Sequence, residues 1–259
     1  MDGDTDNRAA GAASGAQDGG TRGGILVAID GPAGSGKSTV AREVARRLGL
    51  VNLNTGATYR AVAKLSLEEG VGTGDEAALA ALARRVRLRG ETVSVDGETV
   101  PDAELRTPEV SAAASRVSSH PKLREVLVEV QREAARAARR DGGAVVEGRD
   151  IGTVVLPDAE VKVFLSASAE ERALRRARQS GREAELERIR VAMAERDRQD
   201  SEREASPLRA APGAERLDTT GMSLDEVVER VLGLAREASS PDRDPSGETP
   251  TDETSGREV

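Results

Sequence analysis

The stretch ILVAIDGPAGSGKST, residues 25–39, decides the fold. Its first five residues are an apolar, partly β-branched run of the length of a buried strand. Gly31, Gly36, Lys37 and Ser38 then satisfy the phosphate-loop spacing G-x-x-x-x-G-K-[ST]. Behind it, Ser38 to Leu48 reads as a helix, with Val40, Val44, Ala45 and Leu48 on one stripe and Gly49 as its stop. A strand, a glycine-rich turn and a helix start aim backbone N–H groups and a positive dipole end at an anion. Residues Gly31, Pro32, Ala33, Gly34, Ser35, Gly36, Lys37, Ser38 and Thr39 are therefore the candidate triphosphate-binding segment. Lys37 supplies charge to the outer phosphates, and the Ser38 hydroxyl is the candidate ligand of Mg²⁺. A glycine-rich turn without a ligand is the alternative, and the flanking strand and helix weigh against it. Kinases, GTPases, ATPases and regulators share this loop, so it does not name an activity.

Outward from the loop, strand-like and helix-like segments alternate. Helices are expected over 58–67, 75–85, 108–117, 121–140, 169–179, 183–203 and 223–236, the last with Ser223 and Glu226 at capping-box spacing. Strands are expected at 144–146, 161–165 and 216–218. This pattern implies an α/β fold with a mostly parallel sheet. Residues 87–100 break the alternation with short strand candidates and a hairpin turn at Asp96-Gly97, and read as part of an insertion. Residues 1–23 and 239–259 are polar and low in large apolar residues, so both are expected to be disordered tails around one domain over 24–238.

The chain has 259 residues, a net charge of −8, one His and no Cys, which excludes disulfides and thiol or histidine-rich metal sites. The acidic balance argues against nucleic acid as a partner. No run approaches the roughly 18 apolar residues of a membrane span, and no secretory pattern opens the chain. The expectation is a cytoplasmic protein, monomeric because no apolar stripe is left unexplained. There is no Trp, one Phe and one Tyr, so the core rests on aliphatic residues and Tyr59 stands out.

Three further clusters have the chemistry of phosphate handling. Asn54-Thr55-Gly56-Ala57-Thr58-Tyr59-Arg60 places an arginine at a helix start, either as a second anion site or as an ordinary cap with a surface arginine. Glu147-Gly148-Arg149-Asp150 follows a strand, where open α/β sheets bind ligands, and is either a ligand-reading pair or a loop ion pair. Arg196, Asp200 and Arg203 share one helix face, near Arg172, Arg175 and Arg176 on the preceding helix. They are either a phosphoryl-transfer cluster or a solvated helix.

The order GPAGSGKST, NTGATYR, EGRDIGTVVLPDAEVKVFL and ERDRQDSEREASPL resembles the bacterial cytidylate kinase family from about Ile25 to Ala235, with the EGRDIGTVV block the most specific part. The resemblance implies a phosphate-loop nucleoside monophosphate kinase fold. A parallel core sheet flanked by helices would carry an enlarged monophosphate-binding insertion over about 58–140 and a helical lid over about 172–203. It implies transfer of the γ-phosphoryl group of ATP to CMP or dCMP with Mg²⁺. By the same resemblance Lys37, Arg149 and Arg196 act on the transferring group. Thr55, Tyr59, Arg60, Ser115, Arg124, Arg149, Asp150, Asp200 and Arg203 would hold the acceptor nucleotide. The family usually has Asp where this chain has Asn54, which keeps an acceptor oxygen and loses the charge. Kinases of UMP, AMP or a small alcohol remain alternatives, as does a phosphate-loop regulator. Against the regulator stands the lack of a guanine-reading N-K-x-D motif.

Overall fold

The computed structural model describes residues 24–240; the expected tails lie outside them, apart from Ser239 and Ser240. Among the described residues, eight strands form two sheets. The chain runs β1 (Ile25–Asp30), α1 (Lys37–Leu48), β2 (Val51–Asn54), α2 (Gly56–Glu68) and α3 (Glu76–Ala83). A small unit follows: β3 (Val86–Arg89), β4 (Thr92–Val95), β5 (Glu98–Val100), α4 (Asp102–Leu105), α5 (Pro108–Val117) and α6 (Pro121–Arg140). The chain then returns through β6 (Gly143–Gly148), a π-helical turn (Ile151–Val155), β7 (Val161–Ser166) and α7 (Ala169–Ser180). It closes with α8 (Leu186–Glu202), β8 (Glu215–Asp218) and α9 (Leu224–Ser239).

The main sheet has the order β2-β6-β1-β7-β8 and every pairing in it is parallel, so the fold is α/β with a parallel core sheet flanked by helices. β1 shows why an uninterrupted apolar run fits here. Leu26 and Ala28 join a core with α2, α3, α5 and α6, while Val27 and Ile29 join the opposite core with α1 and α9. Successive residues point to opposite faces, and both faces are covered. Strand order reverses around β1, so its C-terminal end opens the crevice where such sheets bind ligands. Gly31 stands at that exit with φ +149°, and a Cβ there would lie 2.1 Å from the Leu165 carbonyl oxygen.

The second sheet, β3-β4-β5, is antiparallel and packs on α2 and α6. Its β4–β5 turn is the expected hairpin, with Asp96 and Gly97 both at positive φ, 52° and 89°. The capping box of α9 is also present in both directions.

Four features differ from the sequence reading. β2 has only two apolar residues and becomes a strand through parallel pairing with β6. α4 is a single turn in a stretch without periodicity. The helix expected over 183–203 begins as a 3₁₀ turn, Glu183–Glu185, and ends at Glu202, so Arg203 caps it in extended geometry. The fourth difference is the π turn after β6. There Arg132 Nε and Nη2 collect the Val155 and Val154 carbonyls at 3.0 and 2.7 Å, and Asp30 accepts from the N–H groups of Ile151 and Gly152.

Candidate active site

The phosphate loop leaves β1 at the centre of the sheet and enters α1 at Lys37. Lys37 is 7% exposed, and its Nζ donates to the Pro32 carbonyl at 2.6 Å and to Ser35 Oγ at 3.4 Å. Burial, reinforced by the Arg149 charge, pushes this ammonium well below its ordinary pKa. Ser38 Oγ donates to Glu147 Oε2 at 2.6 Å, from the first turn of α1 to the end of β6. Thr39 is exposed on the first turn of α1, and its N–H bonds to the Gly36 carbonyl. Ala33 N–H donates at 3.4 Å to Asp197 on α8, whose other oxygen pairs with Arg172 of α7. Arg172 also donates to the Ala33 carbonyl at 3.0 Å. The loop is thus tied to both arginine-rich helices.

On the other side of the crevice, side chains from five elements converge. Arg124 of α6, 4% exposed, donates to Asp150 at 2.6 Å and to the Ser118 carbonyl at 3.0 Å. Its guanidinium carbon lies 5.1 Å above the Tyr59 ring. Arg149 Nε donates to Asp200 of α8 at 3.0 Å, and Arg203 Nη1 reaches the other oxygen of Asp200 at 3.3 Å. Arg149 and Asp150, read from sequence as a candidate pair, do not pair with each other. They are adjacent in the chain and diverge, one anchoring α8 and the other α6. Burial pushes the Asp200 carboxyl up, but Arg149, Arg196 and Arg203 outweigh it and hold the group below the usual carboxylate range.

Thr55 at the start of α2 donates from Oγ1 to the Glu147 carbonyl at 2.7 Å, which fixes the entry of that helix against β6. Asn54 lies in register with Glu147 across the β2–β6 pair, and its Oδ1 accepts from Arg60 Nη2 at 3.4 Å. Ser115 of α5 donates to Gln199 of α8 at 3.4 Å. With Asp200 and Arg203 it lines a cleft of about 500 Å³ between α5 and α8. The α7 arginines are largely engaged within the protein: Arg172 with Asp197, and Arg175 with Glu171 and Thr219.

The cations around this crevice are short of partners. Burial, with smaller contributions from neighbouring arginines, pushes Arg60 and Arg196 each down to about 10. Shielded polar atoms without a hydrogen-bond partner include Nε of Arg60, Arg124 and Arg196, Nη2 of Arg203 and the Tyr59 hydroxyl. Buried donors left unsatisfied are costly, and a cluster of them has the chemistry to take an anion's oxygens as acceptors. Among the described residues, no group of three or more His, Cys, Asp or Glu side chains is arranged to hold a metal ion. A hydroxyl beside a carboxylate, as at Ser38 and Glu147, suits Mg²⁺ that takes its remaining oxygens from phosphate and water.

Sequence reasoning assigned no role to Asp30, Glu147 or Asp197. Asp30 and Glu147 share one signal, a carboxylate closing an apolar strand at its C-terminal end, where ligands bind. Asp197 carries no signal of its own in a helix already dense with charge.

The family model described as Cytidylate kinase matches residues 27–237. The chain is 47% identical over 222 residues to a cytidylate kinase of Geobacillus kaustophilus, covering 82% of this chain and 97% of that one. It is 46% identical over 225 residues to a cytidylate kinase of Geobacter sulfurreducens, covering 83% and 94%. The figure is 48% over 222 residues for one from Symbiobacterium thermophilum, covering 82% and 96%. Matches of this depth run from the phosphate-loop strand into the last helix, and on them the protein belongs to the cytidylate kinase family.

Proposed function

We propose that this protein transfers the γ-phosphoryl group of ATP to CMP or dCMP, giving ADP and CDP or dCDP. The observation that carries the reading is the set of shielded guanidinium nitrogens without a hydrogen-bond partner, on Arg60, Arg124, Arg196 and Arg203, around the phosphate loop's crevice. Phosphate oxygens would supply the missing acceptors, and guanidinium groups bind them through planar, paired donors.

In this reading the donor triphosphate lies along residues 31–39, with Lys37 leaving the Pro32 carbonyl for the outer phosphates. Arg60, Arg124 and Arg203 hold the acceptor phosphate, and Tyr59 lies under Arg124. Thr55, Ser115, Asp150 and Asp200 face the acceptor's sugar and base. An acceptor phosphate oxygen attacks the γ-phosphorus while the bond to the β–γ bridging oxygen breaks. The electron pair leaves with ADP, and a phosphate acceptor ionised at neutral pH needs no general base. Lys37, Arg149 and Arg196 offset the charge spread over the transferring group, so positioning and electrostatics do most of the work. Mg²⁺, held by Ser38 beside Glu147 and by the phosphates, would neutralise charge on the donor's oxygens. Helices α7 and α8 act as the lid, and their closure excludes water that would compete as acceptor.

The test is ADP release from ATP and Mg²⁺ with CMP, dCMP, UMP and AMP offered separately. Turnover with CMP and dCMP and little with AMP is expected. Turnover only with another acceptor would overturn the substrate assignment, and ATP binding without transfer to any acceptor would favour a regulator.

A further inference from the structure

Asp30 ends β1 immediately before Gly31 and is 3% exposed. Its Oδ1 accepts from the Ile151 N–H and its Oδ2 from the Gly152 N–H, both at 2.8 Å. Both oxygens of a buried carboxylate are therefore committed to backbone donors rather than to a cation. The opening N–H groups of a helical turn have no partner within the turn, and Asp30 supplies two from a different strand. The pinned groups directly follow Arg149 and Asp150. Those two side chains diverge from this point to Asp200 and Arg124. The Asp150 carbonyl also accepts the Val154 and Val155 N–H groups, so the turn moves as a unit. One carboxylate thus touches the first residue of the donor loop through the chain and the acceptor-side turn through two hydrogen bonds.

We propose that Asp30 is a positioning residue that locks the Arg149–Asp150 turn to the phosphate loop and so sets the distance between donor and acceptor. It touches neither nucleotide and acts through Asp150 and Arg149. The proposal rests on the acceptor-side reading of those two residues. A carboxylate is required because two donors at one geometry need two acceptor oxygens. An amide at position 30 turns an NH₂ toward one of the N–H groups.

The test compares Asp30→Ala, Asp30→Asn and Asp150→Ala with the unaltered protein, measuring kcat, KM for CMP, KM for ATP and thermal unfolding. For Asp30→Ala, a rise of about tenfold or more in the CMP KM or a similar fall in kcat is expected, with the ATP KM within about threefold, because a small misplacement of acceptor against donor is expensive in rate. Asp30→Asn, keeping one acceptor oxygen, should fall between, and it decides the matter if Asp30→Ala does not fold. Folded Asp30 variants with CMP parameters within about twofold of the original would overturn the proposal. So would equal rises in both KM values alongside a lowered unfolding temperature, the mark of general loosening. If Asp150→Ala impairs CMP use while the Asp30 variants do not, only this proposal fails. If Asp150→Ala leaves CMP use intact, the acceptor-side reading fails and takes the proposal with it.

Discussion

The two sides of the crevice are built by opposite means. The phosphate loop is nine consecutive residues, and it offers mainly backbone N–H groups with one lysine and the hydroxyls of Ser35, Ser38 and Thr39. The facing side takes Tyr59 and Arg60 from α2, Arg124 from α6, Arg149 and Asp150 from the turn after β6, and Asp200 and Arg203 from the end of α8. It offers side-chain charge held in three ion pairs, Arg124–Asp150, Arg149–Asp200 and Arg203–Asp200. A contiguous loop depends on local geometry and tolerates change elsewhere. A dispersed site depends on every element that delivers a side chain, and on compensation of each buried charge.

Predictions follow from that contrast, the largest effect first. Lys37→Met removes the one side-chain charge of the loop and should lower the rate of ADP release by about a thousandfold or more while the protein stays folded. A mild loss would mean that the facing cations suffice. Arg124→Ala should act on both activity and stability. It leaves Asp150 buried without its partner, which costs about 3–5 kcal/mol by chemical denaturation. It should also raise the CMP KM far more than the ATP KM. Equal effects on both would erase the distinction between the two sides.

The third prediction concerns the joint between them. Burial pushes the Asp30 carboxyl from its ordinary 3.8 up to about 6. The folded state therefore holds this proton more tightly than the unfolded chain does. This group's contribution to stability is fully present below the unfolded value and is lost as pH rises through the folded one. Relative to Asp30→Asn, the unaltered protein should lose about 3 kcal/mol of stability between roughly pH 4 and pH 6. Parallel denaturation curves across that range would contradict it. The smallest effect is expected for Asn54→Asp. It places a carboxylate beside Arg60, where the Glu147 charge across the strand pair already acts. Turnover should change by less than about threefold, because the Glu147 charge already serves Arg60 and the added carboxylate is partly redundant with it.

The same contrast explains what could be read from the sequence. The strand–loop–helix unit, the Asp96-Gly97 hairpin and the Ser223 capping box are local, so spacing and turn chemistry revealed them. β2 escaped because its identity lies in its pairing with β6, not in Val51-Asn-Leu-Asn itself. On the facing side, Tyr59, Arg60, Arg149, Asp150, Asp200 and Arg203 stood in clusters whose chemistry left an ordinary structural role open, and Ser115 and Arg124 were reachable only through resemblance to a family. Residue by residue, a surface arginine and a buried one look alike, and the partners of Arg124 and Arg149 lie 26 and 51 positions away. The sequence also made Arg149 and Asp150 look like partners because they are neighbours. Peptide geometry after a strand sends adjacent side chains apart, and the structure uses that divergence to tie α6 and α8 to one turn. Asp30, Glu147 and Asp197 went without roles for a related reason, since each acts through a contact more than 100 residues away in the chain.

The scarcity of aromatic residues has an optical consequence. With no Trp, and with Tyr59 the single tyrosine of the whole sequence, the ultraviolet emission of this protein is dominated by one ring, since its single Phe emits far more weakly. That ring sits 5.1 Å from the Arg124 guanidinium carbon, inside the crevice. Any ligand that recruits Arg124 alters the surroundings of the dominant emitter, so the unlabelled chain carries its own reporter on that side of the crevice.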